Sequence, residues 1–400
     1  MKDKTATGIT GLDTILNGGL SPNHFYLVNG PSGSGKTTLS MHFLMEGARS
    51  GERCLYIGTS ETESVIREVA ASHGWDLSGI RLEYHSGPEE LTKGPDQTMF
   101  HPAEERLPRI MEETMKIVDE VRPERLVIDS LAEIRLLSRE PNWFRDQLKM
   151  LRYHFRDRDT TALLTDLPMD RQPILRSFVH GIIELSLAES YYGPDRRRLR
   201  VAKMRGFPYL TGSHDFTITT GGMKVFPRLV AADHRAGFTP AELSSGLPEL
   251  DRLLGGGVDK GTSTLLTGPT GTGKSVLTAQ YVSAAAARGE KCAMYIFDER
   301  IQTLFRRSKK LGLDLEQYCD TGLLSVHQVD PAELTPGEFS ARVKDAVEDG
   351  VSMVAVDSLN GFYYAMPDER LLDLHLHELL SFLNQQGVTS FLVLSYSNIS

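Results

Sequence analysis

The sequence predicts an α/β protein of two tandem domains, each a mostly parallel sheet flanked by helices, with the second domain incomplete. Three observations carry this. The octapeptide Gly30-Pro31-Ser32-Gly33-Ser34-Gly35-Lys36-Thr37 follows the apolar run Phe25 to Val28 and leads into a helical pattern. It recurs as Gly268-Pro269-Thr270-Gly271-Thr272-Gly273-Lys274-Ser275 after Leu265-Leu266. One offset of 238 positions carries Leu12-Asp13 onto Leu250-Asp251, Lys36 onto Lys274, Cys54 onto Cys292 and Glu61 onto Glu299 without a gap. Each half then offers an apolar run ending in an acid, Arg125-Leu126-Val127-Ile128-Asp129-Ser130 and Met353-Val354-Ala355-Val356-Asp357-Ser358. So long a period is the duplication of a whole domain, not a solenoid repeat. Strands alternating with helices give parallel sheets, whose ligands sit at the carboxyl ends of the strands.

In chain order, Met1-Lys2-Asp3-Lys4-Thr5 has no apolar segment behind it that would serve as a signal peptide. The first glycine-rich loop follows. Its glycines let backbone N–H groups turn inward around phosphate oxygens, the next helix presents its positive end, and the lysine reaches the β and γ phosphates. The residues expected around the nucleotide are therefore Gly33, Ser34, Gly35, Lys36, Thr37 and Thr38, and in the repeat Gly271, Thr272, Gly273, Lys274, Ser275 and Val276. Thr37 and Ser275 are the hydroxyls expected to hold magnesium.

An ATPase also needs an acid on the magnesium shell and a base for the attacking water. Glu61, after the apolar run from Cys54, and Asp298-Glu299, after Met294 to Phe297, are the base candidates. Acids at a helix start can instead simply favour its dipole. Helical patterns run through Leu107, Ile110, Met111, Ile117 and Val121, and through Phe339, Val343 and Val347. The second opens with Thr335-Pro336-Gly337-Glu338, a capping box with a first-turn proline. Asp129 and Asp357, ending buried strands, suit the magnesium shell through metal-bound water, the other reading being a cap on the next turn.

Further strand-like runs lie at Ala162 to Thr165, Ile182 to Leu187, Leu199 to Met204 and Phe216 to Ile218. The domains read as 1–230 and 243–400, joined by a linker at 231–242 that carries Gly237 and Pro240. Residues 166–228 have no counterpart in the second half, which is expected to lack its last strands as a C-terminally truncated domain would.

Composition bounds the function. The 400 residues are 40% hydrophobic with no unbroken apolar run long enough for a membrane span, and three cysteines without metal-type spacing point to the cytoplasm. A net charge of −9 offers no general attraction for nucleic acid or an anionic membrane.

The paired halves, the pattern Gly-Leu-Asp-x-x-Leu-x-Gly-Gly-Leu at Gly11 to Leu20, the glycine-rich loops and the Val-Ile-Asp-Ser strand together resemble the KaiC family of the RecA superfamily. The resemblance covers essentially the whole chain. It implies tandem RecA-like P-loop NTPase domains, ATP and Mg2+ as cofactors, a homo-oligomeric hexameric ring with ATP between neighbouring subunits, and a signalling role with a protein partner. It also makes Lys36 and Lys274 the phosphate lysines. Where family members carry two consecutive acids, this chain has Ser60-Glu61 and Asp298-Glu299. The segment Leu199 to Gly206 is similar to the family's basic strand ending in Lys-x-Arg-Gly, which assigns Lys203 and Arg205 to the γ phosphate bound on the next subunit. An extended strand sets those two side chains on one face. Some family members autophosphorylate on serine and threonine, an alternative output; the segment for that reaction has no equivalent here, so kinase activity at that site is expected to be absent. A recombinase-like role on DNA ranks last on charge.

Other features are weaker. Arg196-Arg197-Arg198 beside Tyr191-Tyr192 suits nucleic acid, but Gly193-Pro194-Asp195 reads as a solvated hairpin tip. His375 and His377, two apart on a helix, face different ways and read as surface and core residues. Glu89 to Glu105 reads as a surface loop.

Overall fold

In the computed structural model the chain forms two compact units, Met1–Ala188 with Arg196–Arg228, and Leu229–Ser400 with Glu189–Asp195. The structure describes residues 4–59, 61–84, 102–136, 141–156, 158–168, 173–190, 193–330, 334–366 and 371–396.

The first unit is built on nine strands: β1 (Phe25–Asn29), β2 (Cys54–Gly58), β3 (Ile80–Tyr84), β4 (Arg125–Asp129), β5 (Thr161–Asp166), β6 (Gly181–Ala188), β7 (Arg196–Met204), β8 (His214–Thr219) and β9 (Gly222–Phe226). Their order is β3-β2-β4-β5-β1-β6-β7-β8-β9. Pairing is parallel from β3 through β6 and antiparallel from β6 to β9. The central parallel strands are mostly apolar because both faces are covered. Alternate residues feed opposite cores: Tyr26, Val28, Cys54 and Tyr56 pack on one side, and Leu27, Leu55 and Ile57 on the other.

In the second unit β10 (Glu242–Leu243) pairs with β11 (Val258–Asp259), and β12 (Ser263–Pro269), β13 (Lys291–Ile296), β14 (Leu324–Gln328), β15 (Val351–Asp357) and β16 (Thr389–Tyr396) form a parallel sheet ordered β12-β16-β15-β13-β14. That order repeats β1-β5-β4-β2-β3. Among the described residues nothing corresponds to β6 through β9, so β12 is an edge where β1 is central. The burial records it. Ile15 is 0% exposed, while Leu253, at the matching position of the repeat, is 84% exposed.

Several local expectations change. Pro102 opens a helix that runs to Val121, so residues 102–105 are helical rather than loop; a first-turn proline has no N–H to lose and a φ already set for a helix. Residues 85–101 lie outside the described residues, as do Ser60, Tyr191 and Tyr192. Gly193-Pro194-Asp195 do lie exposed in the connection between the antiparallel β6 and β7, as a hairpin tip should; Arg196 to Arg198 begin β7, and Arg196 is buried. Segment 231–242 is partly structured. Ala231–Asp233 is a 3-10 turn, Ala231 N–H donates to Glu378 Oε2 at 3.2 Å, and the His234 ring meets Phe382 edge-on at 5.3 Å. His375 is half-buried and His377 exposed, so neither is a core residue. Cys54 and Cys292 are buried, and burial pushes each thiol up to about 12.

Candidate nucleotide-binding sites

In each unit the glycine-rich loop joins a strand to the helix that starts at its lysine: β1 to Lys36–Arg49, and β12 to Lys274–Ala287. Gly33, Gly35, Gly271 and Gly273 all have left-handed backbones, with φ of 73°, 97°, 88° and 91°. A side chain would strain these positions, and such turns aim successive N–H groups into one concavity. The lysines take matching positions. Lys36 Nζ donates to the Gly30 and Pro31 carbonyls at 2.9 Å each, and Lys274 Nζ to Gly268 and Pro269 at 2.9 and 2.8 Å. Burial lowers the Lys36 pKa, opposed by Asp129 and Asp166. Ser34 Oγ and Asn29 Oδ1 are buried without hydrogen-bond partners among the described residues; the hydroxyl could donate to a phosphate oxygen, and the amide oxygen could accept from a water. Thr38 is buried behind the loop, Val276 and Ser275 are half-buried, and Thr272 Oγ1 donates to Pro269 O at 2.9 Å.

Asp129, 7% exposed at the end of β4, is the acid that the first loop faces. Three hydroxyls donate to its carboxylate: Thr37 Oγ1 to Oδ2 at 2.7 Å, Tyr56 OH to Oδ2 at 3.0 Å, and Thr165 Oγ1 to Oδ1. Thr37 and Asp129 thus meet directly, a hydroxyl and a carboxylate of the hard-oxygen type that Mg2+ prefers. Beside them Asp166 is fully buried, held by Arg135 Nη1 at 2.7 Å and by the Leu167 N–H at 2.8 Å. Burial raises the Asp166 carboxyl, opposed chiefly by Arg135. Sequence reasoning missed Tyr56, Thr165, Asp166 and Arg135. The available signal was a Thr-Asp pair ending an otherwise apolar strand.

The second site keeps the backbone and changes the side chains. Pairing of β15 with β16 sets Val393 beside Asp357, where Thr165 adjoins Asp129. Burial raises the Asp357 carboxyl, opposed by Ser275, Arg307 and Lys274. Asp298 accepts from Ser358 Oγ. Glu299, half-buried, accepts from Arg307 Nη2 at 2.7 Å, whereas Glu61 in the first unit is exposed.

Lys203 and Arg205 lie far from their own loop. Lys203 is level with Ile182, itself level with Leu27, and β1 runs from there toward Gly30. Lys203 Nζ donates to the Arg176 and Val179 carbonyls, and Arg205 Nη2 to Ser177 O at 3.3 Å. The loop end of β7 instead carries Arg197, whose Nη1 donates to Gly33 O at 2.6 Å.

The family model described as "ATPase: KaiC" matches residues 5–230 and again residues 243–399. The chain belongs to the KaiC family. Among curated proteins it is 30% identical over 373 residues to the circadian clock oscillator protein KaiC of Parathermosynechococcus lividus, covering 89% of this chain and 67% of that protein. It is 26% identical over 396 residues to the circadian clock protein KaiC2 of Synechocystis sp., covering 97% of this chain and 69% of the relative. As a KaiC-family ATPase, the chain has two RecA-like cores, and the loops at Lys36 and Lys274 are their P-loops. Among the described residues no helix is long and apolar enough to cross a membrane.

Proposed function

We propose that this chain is a Mg2+-dependent ATPase that assembles head to tail into a ring, with each nucleotide held by one subunit and completed by the next, and with a regulatory output in the cytoplasm. The carrying observation is the placement of Lys203 and Arg205. They sit at the amino-terminal end of the strands that their own P-loop crowns, about 10 Å short of Gly30 along the sheet at ~3.3 Å per residue. From there they serve a nucleotide on another copy, not their own.

Within one subunit the roles divide by chemistry. The loop amides, Lys36 and Lys274 bind and orient the phosphates. Thr37 with Asp129, and Ser275 with Asp357, would hold Mg2+, which when bound neutralises charge on the phosphate oxygens. Asp298 and Glu299 line the second site as acid neighbours, and Glu299 takes the proton from the attacking water; Glu61 is the corresponding group in the first. Fixed charges and dipoles of this kind account for most of the rate in phosphoryl transfer.

The test pairs particle size with turnover. With ATP and Mg2+ the full chain should form a closed ring by mass photometry, and phosphate release should fall in both Lys36→Ala and Lys274→Ala. Lys203→Ala with Arg205→Ala should lose the first-domain share of turnover, most plainly in a Lys274→Ala background, while each intact loop still binds ATP. A monomer that hydrolyses at the wild-type rate would end the head-to-tail proposal.

A further inference from the structure

In the second site a cation, Arg307, meets the candidate base, where the matching position of the first unit is Val69. Arg307 lies on the helix Ile301–Lys310, which starts two residues after Glu299. Its Nη2 donates to one carboxylate oxygen of Glu299, Oε1, at 2.7 Å, and its Nε is buried with no hydrogen-bond partner among the described residues. An offset of 238 places Val69 at this position in the first unit, where Glu61 is exposed. The duplication therefore provides an internal comparison: the same strand and helix, with and without an arginine.

The acids crowd the region around Arg307. Asp298 and Asp357 both act electrostatically on Glu299, and Arg307 opposes them. Asp357 feels Arg307 and Lys274 in turn. Long carboxylate side chains among like charges turn away from one another unless a cation fixes them. A guanidinium held through one oxygen leaves the other free to accept from water, which is what a base needs.

We propose that Arg307 is a positioning residue for the second nucleotide site: it holds Glu299 by one oxygen and aims the other at the water to be activated. This rests on Glu299 being the base of that site. Arg307 touches no reacting atom and acts through the glutamate. Its role is confined to the second domain, because Val69 offers no charge to Glu61.

The experiment uses the full chain carrying Lys36→Ala, so that phosphate release reports the second domain, with ATP affinity followed by calorimetry. Arg307→Gln should lower kcat about tenfold, as loss of alignment does, and leave the ATP Kd within about twofold. Arg307→Lys should restore most of the rate. Glu299→Gln with Arg307→Gln should be no slower than Glu299→Gln alone, since the arginine then has nothing to aim. Losses that multiply in the double variant, or an effect on Kd with kcat intact, would show a structural role and overturn the assignment. Turnover unaffected by Arg307→Gln overturns the assignment while leaving the site an ATPase. If the Lys36→Ala chain binds ATP at Lys274 yet releases no phosphate, the hydrolytic reading of the second site fails, and the assignment falls with it.

Discussion

Replacing Thr165 with valine removes one hydroxyl from the Asp129 carboxylate at nearly constant shape. The Thr165 hydroxyl is the partner of Oδ1, while Thr37 and Tyr56 both donate to Oδ2. Without it a buried carboxylate oxygen loses its donor, which costs about 1.5–3 kcal/mol for a hydrogen bond to a charged group. The added methyl at a fully buried position returns about 0.5–0.8 kcal/mol. The net loss is therefore about 1–2 kcal/mol. The assay is selective, because both tryptophans, Trp75 and Trp143, belong to the first unit. Tryptophan fluorescence thus follows the first unit alone. With a urea slope of about 2–3 kcal/mol per molar for a domain of this size, the midpoint should fall by about 0.3–1 M. A midpoint unchanged within about 0.2 M would refute the claim that this hydroxyl sustains Asp129.

Two other outcomes follow from burial. Ile15→Ala should destabilise the first unit by about 2–4 kcal/mol, whereas Leu253→Ala, at the same place in the repeat, should change the second by less than about 0.5 kcal/mol; equal effects in thermal unfolding would contradict the exposure difference. His180 is pushed down to about 4 by burial and by neighbouring His24, and it sits beside Lys203 and Arg205. With the folded pKa below the unfolded value of 6.5, its stabilising effect is complete above pH 6.5 and is lost as pH falls toward 4. Between pH 7 and 5 the unfolding free energy from urea titration should drop more steeply for wild type than for His180→Gln, by about 1 kcal/mol after allowance for solvent screening; parallel slopes would contradict this.

The fold was legible because its signals are local and repeated. The glycine loops, the alternating strands and helices, and the two aspartate-ended strands each need only a few adjacent residues. Edge strands were not legible. Ile80-Arg81-Leu82-Glu83-Tyr84 interleaves charges because one side faces solvent, so it lacks the unbroken apolar signal that marks β4 or β5. The network around Asp129 was hidden for another reason. Tyr56, Asp129 and Thr165 come from three strands and meet through sheet order, which β2-β4-β5 adjacency sets and residue spacing does not. Arg307 was missed because a basic residue in the last turn of a helix is ordinarily read as a partner of the dipole.

The two sites share backbone and differ in side chains, and this separates binding from chemistry. A P-loop grips phosphate with amides, so it tolerates replacement of the residues around it provided the glycines keep their left-handed turns, as all four do. Turnover depends instead on how acids are charged and aimed. Asp129 is satisfied by neutral hydroxyls and adjoins a buried Asp166–Arg135 pair, while Asp357 shares its surroundings with Asp298, Glu299 and one arginine. Similar ATP affinities at the two loops with unequal rates are then the physical expectation. Comparing Lys36→Ala with Lys274→Ala by calorimetry and phosphate release measures the two quantities separately. Equal rates at both sites would mean that the hydroxyl cage and the arginine-held glutamate are energetically equivalent, which their differing charge does not allow.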